Sequence, residues 1–165
     1  MDVIEVAGRS FRIRRAQASD LAAIVALLRD DPLGSVREAA DLSVYEDAFG
    51  AIDADPNQFL AVVDDGSDEV VGTMQLTLLP GLSRGGATRL QIEAVRIAAP
   101  TRGTGLGAAM VEWAHDYARS RGATLAQLTT DKTRGDAHRF YARLGYEATH
   151  EGLKLDLHDG GSTQK

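Results

Sequence analysis

Apolar and polar positions alternate over residues 10 to 15, "SFRIRR", a period of two that marks a half-buried strand. The period then lengthens. In "ASDLAAIVALLRDD", Leu21, Ile24, Val25 and Leu28 recur at helical spacing behind Ser19 and Asp20, either of which can cap a helix. Pro32 and Gly34 break that pattern. Ser35-Val36-Arg37-Glu38 then has the spacing of a capping box, which predicts a second helix running to about Phe49. "QFLAVVDD" is a compact apolar run and predicts a buried strand, and "DDGSDE" predicts a turn. "VVGTMQLTLLP" and "TRLQIEAVRI" predict two more strands, joined by "GLSRGG". Three strands in succession with short turns form an antiparallel meander.

The pattern changes again after residue 104. Leu106, Met110, Trp113 and Tyr117, with Ala109 and Ala114, line one face of a helix predicted from about 105 to 121, and Gly122 can end it. "ATLAQLTT" predicts a strand. Ala137, Phe140, Tyr141 and Leu144 form another helical stripe, with Gly145 placed as its cap. "YEATHEGLKLDL" predicts a closing strand, and the polar "HDGGSTQK" a disordered tail. The order is strand, two helices, three strands, helix, strand, helix, strand. It implies an α/β or α+β fold with a mixed sheet, in one domain over residues 1–157, the tail being 158–165.

Composition narrows the function. The chain has 165 residues, 44% hydrophobic and 25% charged, with 18 Lys and Arg against 24 Asp and Glu, a formal net charge of -6. An acidic chain lacks the basic footprint of a general nucleic-acid binder, so no nucleic-acid partner is expected. No apolar run is long enough to span a membrane, and "MDVIEVAGRSFRIRR" lacks the apolar core of a signal peptide, so a cytoplasmic location is expected. The absence of cysteine excludes disulfides, thiolate metal sites and a cysteine nucleophile. The four histidines show no metal-binding spacing, and no metal is expected. A homodimer is expected on base rate alone.

"TRGTGLGAAM", residues 101–110, carries three glycines at alternate positions behind Arg102. Each glycine inside a helix costs about 1 kcal/mol relative to alanine, so a helix alone does not explain them. They fall between a strand ending near Ile97 and a helix beginning near Gly105. Such a junction gathers free backbone N–H groups and the positive end of a helix dipole, and glycine lets a phosphate approach the backbone. Gly103, Gly105 and Ala108 formally satisfy the dinucleotide fingerprint G-x-G-x-x-A. That reading is disfavoured because "AAPTR" separates the loop from its strand and the preceding strands form a meander.

Arg102-Gly103-Thr104-Gly105-Leu106-Gly107 resembles the Q/R-x-x-G-x-G/A motif of the GNAT N-acetyltransferases, and "DAHRFYARLGYEATHEGLKL" resembles the family's closing helix and strand. "IRRAQASDLAAIVALL" is similar to its opening strand and helix, so the resemblance covers roughly residues 10 to 157. It implies a mostly antiparallel mixed sheet flanked by about four helices, with acetyl-CoA as co-substrate. It also implies that Arg102, Gly103, Thr104, Gly105, Leu106, Gly107 and Ala108 hold the pyrophosphate, while Val95 and Ile97 lie along pantetheine. Arg134 stands where many members carry asparagine, and is expected to reach a phosphate instead.

The implied reaction is attack of an amine on a thioester, which needs a proton acceptor, a donor to the leaving thiolate and a backbone N–H for the developing oxyanion. Glu93 is the candidate acceptor: on an ideal strand Gln91, Glu93, Val95 and Ile97 share a face. Tyr141 is the candidate donor, since a phenol is protonated at neutral pH and the resemblance implies a tyrosine near the sulfur. Arg37, Glu38 and Gln91 are the expected contacts to the acceptor, a small-molecule amine. A protein acetyltransferase and a non-catalytic acyl-coenzyme A module remain as alternatives.

Overall fold

The computed structural model describes residues 1–30, 38, 41–67 and 69–157. The predicted start of the second helix, Arg37 and the tail 158–165 lie outside them. The chain forms two compact units, Met1–Leu128 and Thr129–Lys165.

The first unit carries a six-stranded sheet, in the order β1 (Asp2–Val6), β2 (Arg9–Arg15), β3 (Gln58–Asp64), β4 (Val70–Pro80), β5 (Thr88–Ile97) and β6 (Ala123–Leu128). Neighbours are antiparallel except β5 and β6, which are parallel. This is the mixed, mostly antiparallel sheet expected. β1 was not expected. It pairs with β2 across a turn at Ala7 (φ 51) and Gly8 (φ 78). Both central residues take positive φ, the geometry of a tight hairpin, without the Asn-Gly that usually signals it. The "GLSRGG" connection contains one turn, Ser83–Gly86, in which Arg84 (φ 55) and Gly85 (φ 70) leave the helical region.

Two helices cover one face and one the other. α1 (Leu21–Arg29) buries Ile24, Val25 and Leu27, while Leu28 is only part-buried. α2 runs Ser43–Ala54, later than predicted because residues 41 and 42 are not helical, and it has no fully buried residue. Ile24 packs with Leu60 and Val62 of β3, and Phe49 and Ile52 lean on the same cluster. On the opposite face lies α3 (Leu106–Ser120), which buries Leu106, Met110, Val111, Ala114 and Ala118. Trp113 and Tyr117, expected in the core, are half-buried. They form a ring cluster with Phe59, and Trp113 Nε1 donates to Asp2 at 2.9 Å.

In the second unit, α4 (Gly135–Arg143) has no fully buried residue; Ala137, Phe140, Tyr141 and Leu144 form its half-buried stripe. Gly145, at φ 85, ends it as expected, with Tyr146 N–H bonding back to the Tyr141 carbonyl at 3.1 Å. The predicted closing strand is not formed: residues 151–157 have no strand structure, and Leu153 and Leu155 are 94% and 83% exposed. Period-two leucines make a segment fit for a strand, but only pairing with a neighbour makes it one.

Candidate functional site

The central feature is a break in β5. Gln75 pairs with Glu93, but Thr73 pairs with Arg96, so Ala94 and Val95 together stand opposite Met74. Ala94 takes φ 52, the left-handed region a non-glycine residue seldom occupies. This is a β-bulge, and it reverses the side-chain alternation. Cross-strand partners share a face. Glu93 therefore lies with Gln75, and Ile97 with Gly72, three residues away along β4 and on the opposite face. The single face expected for Gln91, Glu93, Val95 and Ile97 is thus corrected: Gln91 and Glu93 point to the α1–α2 side, and Ile97 to the α3 side. Glu93 is exposed, not sequestered by its apolar sequence neighbours.

The bulge coincides with the end of a ladder. β5 pairs with β6 only from Thr88 to Ile92, yet continues to Ile97. Beyond Ile92, among the described residues of the first unit, its outer edge is open, and the bulged residues lie outside the β4 register. Val95 and Ile97, the residues assigned to pantetheine from sequence, lie on that stretch, and their carbonyls accept from the Arg96 guanidinium and from Arg102 Nε, both at 2.9 Å. Gln91, below the break, accepts from Gln127 of β6 at 2.8 Å.

From Ile97 the chain passes through a tight loop into α3. The Ala98 N–H bonds the Val71 carbonyl at 2.8 Å, the buried Thr101 hydroxyl donates to the Ala98 carbonyl at 3.0 Å, and the Thr104 hydroxyl donates to the Thr101 carbonyl at 2.8 Å. Gly103 (φ 77) and Gly105 (φ 100) both need the left-handed region, so part of the glycine signal is backbone geometry. A Cβ at Gly105 would come within 3.3 Å of Val6, whereas one at Gly103 would meet nothing within 4 Å. Space is open over Gly103, in front of an α3 N-terminus whose first N–H groups have no intrahelical acceptors. An anion fits there. Leu106 is fully buried and holds the helix start, while Gly107 and Ala108 in the first turn are part-buried.

Arg102 does not point free into that space. Its Nε donates to the Ile97 carbonyl at 2.9 Å, and its Nη2 to the Asp30 carboxylate at 2.6 Å and the Asp30 carbonyl at 2.9 Å. Both side chains are about half exposed, at 50% and 54%.

Glu38 is half-buried and accepts from the Tyr45 hydroxyl at 2.7 Å. In the second unit Arg134 caps α4, and Tyr141 packs edge-on against Phe140 (4.9 Å) and Tyr146 (5.7 Å). Burial, reinforced by Tyr141, pushes the Tyr146 phenol up to about 12. Tyr146 is a second protonated phenol beside Tyr141, and nothing in the helical spacing of residues 137–144 singles it out. Among the described residues no cluster could hold a metal ion, and no helix is long and apolar enough to cross a membrane.

A strand edge ending in a glycine loop at a helix N-terminus can hold an extended ligand with an anionic end. A sequence model of the acetyltransferase (GNAT) family matches residues 21–146, and the chain belongs to that family. It is 32% identical over 139 residues to an aminoalkylphosphonate N-acetyltransferase from Salmonella typhimurium, covering 84% of this chain and 86% of that one. It is 29% identical over 161 residues to a streptothricin acetyltransferase from Streptomyces lavendulae, covering 98% and 75%. Among solved structures, a transcriptional regulator from Bacillus halodurans C-125 shares 44% identity at a TM-score of 0.84, over 88% of this chain and 99% of that one. The protein is an acyltransferase.

Proposed function

We propose that this protein transfers the acetyl group of acetyl-CoA directly to the primary amine of a small molecule. The observation that carries this reading is the open edge of β5 from Glu93 to Ile97, running into the Gly103–Gly105 loop at the start of α3. That continuous track suits pantetheine along Val95 and Ile97 and a pyrophosphate over Gly103, Thr104, Gly107 and Ala108; Arg134 is assigned a further phosphate from sequence alone. Acetyl-CoA supplies a thioester whose carbonyl carbon bonds the amine nitrogen as the C–S bond breaks and the thiolate leaves. Glu93, directly or through water, takes the proton the nitrogen must lose. A backbone N–H of the bulge at Ala94–Val95 serves the carbonyl oxygen as it gains charge. Tyr141 gives its phenolic proton to the departing sulfur. Glu38 and Gln91 lie on the acceptor side, and Arg37 is kept there as an expectation from sequence.

The test is coenzyme A release from acetyl-CoA across small amines and peptides. Turnover with free amines supports the reading; turnover with peptides alone moves the protein to the protein-acetyltransferase class, and cofactor binding without turnover makes it a binding module. In the same assay Tyr141→Phe is expected to lower turnover roughly 10- to 1000-fold with cofactor affinity unchanged, partial rescue by water keeping the loss at or below the usual general-acid range. Full turnover in that variant removes Tyr141 from the chemistry and turns attention to Tyr146.

A further inference from the structure

On the α1–α2 side of the sheet, beside the bulge, lies a cavity of about 170 Å³. Its walls come from Leu21, Ile24 and Leu28 of α1 and Ala48, Phe49 and Ile52 of α2, with Leu60 beneath. Leu21 and Leu28 have the spacing of core residues yet stay part-buried, because the cavity is what they face. α2, which closes it, has no fully buried residue. No charged side chain lines the cavity among the described residues.

Among the described lining residues the polar side chains are Tyr45, Thr73 and Gln75. Thr73, Gln75 and Ala94 bring the bulged part of the sheet to the cavity, and Gln75 is the cross-strand partner of Glu93. Tyr45, also in the lining, donates to the Glu38 carboxylate. Two carboxylates thus flank an apolar chamber. The nearest described cation by register is Arg96, opposite Thr73, and its guanidinium donates to the Val95 carbonyl at 2.9 Å.

We propose that the acceptor is a primary amine carrying a compact apolar body of about phenyl size, seated in this chamber with its ammonium at the Glu93–Glu38 rim. This rests on the acetyl-transfer reading above and names its substrate class. A dry apolar cavity of about 150 Å³ is enough for benzene, so the volume fits one ring or a chain of similar bulk. Among the described residues the walls offer no charged partner to a phosphonate or sugar phosphate, whose desolvation would go uncompensated there. The carboxylates attract a cation, which favours an amine over the uncharged tail of a longer acyl group.

The experiment compares 2-phenylethylamine and hexylamine with 2-aminoethylphosphonate and glucosamine 6-phosphate, by coenzyme A release and by calorimetric binding. The apolar amines are expected to exceed the anionic ones at least about ten-fold in kcat/KM. Ala48→Trp is the accompanying variant. Ala48 is exposed on α2 and lines the chamber, so an indole there fills it without entering the buried core. It is expected to raise KM for 2-phenylethylamine at least about ten-fold, leaving KM for acetyl-CoA and the melting temperature unchanged. A preference for either anionic amine overturns the substrate class while acetyl transfer stands. If Ala48→Trp instead changes only the preference among acetyl-, butyryl- and hexanoyl-CoA, the chamber holds the acyl tail and the proposal falls. Should no amine be acetylated, the transfer reading fails; binding of 2-phenylethylamine that Ala48→Trp abolishes then still supports the chamber, and no binding overturns it too.

Discussion

The glycine loop and the apolar chamber are built in opposite ways. The loop is local: Ala98 to Ala108 are consecutive, and its internal bonds span three residues or fewer along the chain. The chamber is assembled from α1, α2, β3, β4 and the bulge of β5, positions as far apart as Leu21 and Ala94. A local site tolerates change elsewhere and fails when its own backbone is altered. An assembled site depends on helices seated by distant contacts and can be retuned by one wall. If this contrast holds, loop variants that keep its backbone geometry affect the cofactor alone, and variants around the chamber affect the acceptor or the fold.

The largest effect is expected in the loop. Gly105→Val is a poor probe, because φ 100 and the approach to Val6 would strain the fold itself. Gly107 is the better position: it lies inside α3 and is not among the residues with positive φ. Valine is no worse than glycine as a helix former, so the fold should survive. Gly107→Val is expected to raise Kd for coenzyme A about 100-fold, or roughly 2.8 kcal/mol at 1.4 kcal/mol per decade. Calorimetry alongside a melting curve checks it; unchanged affinity in a folded variant would remove the helix start from the site.

Next comes the point where the two regions meet. Glu93→Gln keeps the shape and removes the proposed proton acceptor. Because Glu93 is exposed and water shares its task, turnover is expected to fall roughly 10- to 100-fold, at or below the low end for general bases. Coenzyme A affinity should not move. A wild-type rate and pH profile would make Glu93 a strand residue only.

The same contrast explains what the sequence made legible. Arg102 to Gly107 could be read directly because a contiguous motif carries its own spacing, and the α3 stripe fixed where its helix begins. The bulge could not be read, since alanine, not glycine, occupies the left-handed position at residue 94. An unbroken period of two across "LQIEAVRI" therefore put Glu93 and Ile97 on one face when they lie on two. The β1–β2 hairpin escaped for a related reason, Ala7 standing where asparagine would have announced the turn. The chamber had no sequence signal at all. Its residues read as ordinary core, and only the part-burial of Leu21 and Leu28 shows that something is left unfilled.

A third variant tests how the chamber's wall is held. Asp20, only 7% exposed at the start of α1, accepts from Arg14 at 2.7 and 3.0 Å and from the Gln17 N–H at 2.7 Å. The Arg14 hydrogen bonds hold its carboxyl below the ordinary 3.8 against the opposing pull of burial, helped by the Gln17 N–H. The folded value lies below the unfolded one. The stabilisation is therefore complete above about pH 3.8 and is lost as the pH falls through the folded value. Asp20→Ala is expected to cost about 2 kcal/mol at neutral pH, within the range for hydrogen bonds to a charged group, and to flatten the acid limb of the stability profile. Urea unfolding at several pH values measures both. A neutral variant would mean α1 is seated by its apolar face alone.

The smallest effect is the sharpest in sign. Arg102 belongs to the loop, but its guanidinium is bonded to Asp30, at the end of the helix that walls the chamber. A phosphate over Gly103 must compete with that carboxylate for the same cation. The pair is half exposed on both sides, and exposed ion pairs contribute about 0–1 kcal/mol, so the competition is weak. Asp30→Asn removes the competing charge and leaves the bond from Arg102 to the Ile97 carbonyl. It is therefore expected to tighten coenzyme A binding, by up to about five-fold, since 1 kcal/mol at 1.4 kcal/mol per decade is a factor of five. Arg102→Ala should weaken it about ten-fold or less, because the backbone donors remain. In 1 M salt, where screening falls to about 3 Å, the ratio of Asp30→Asn to wild type should return toward one. If Asp30→Asn weakens binding instead, Arg102 is a strut that holds the loop to α1, and the phosphate is held by backbone alone.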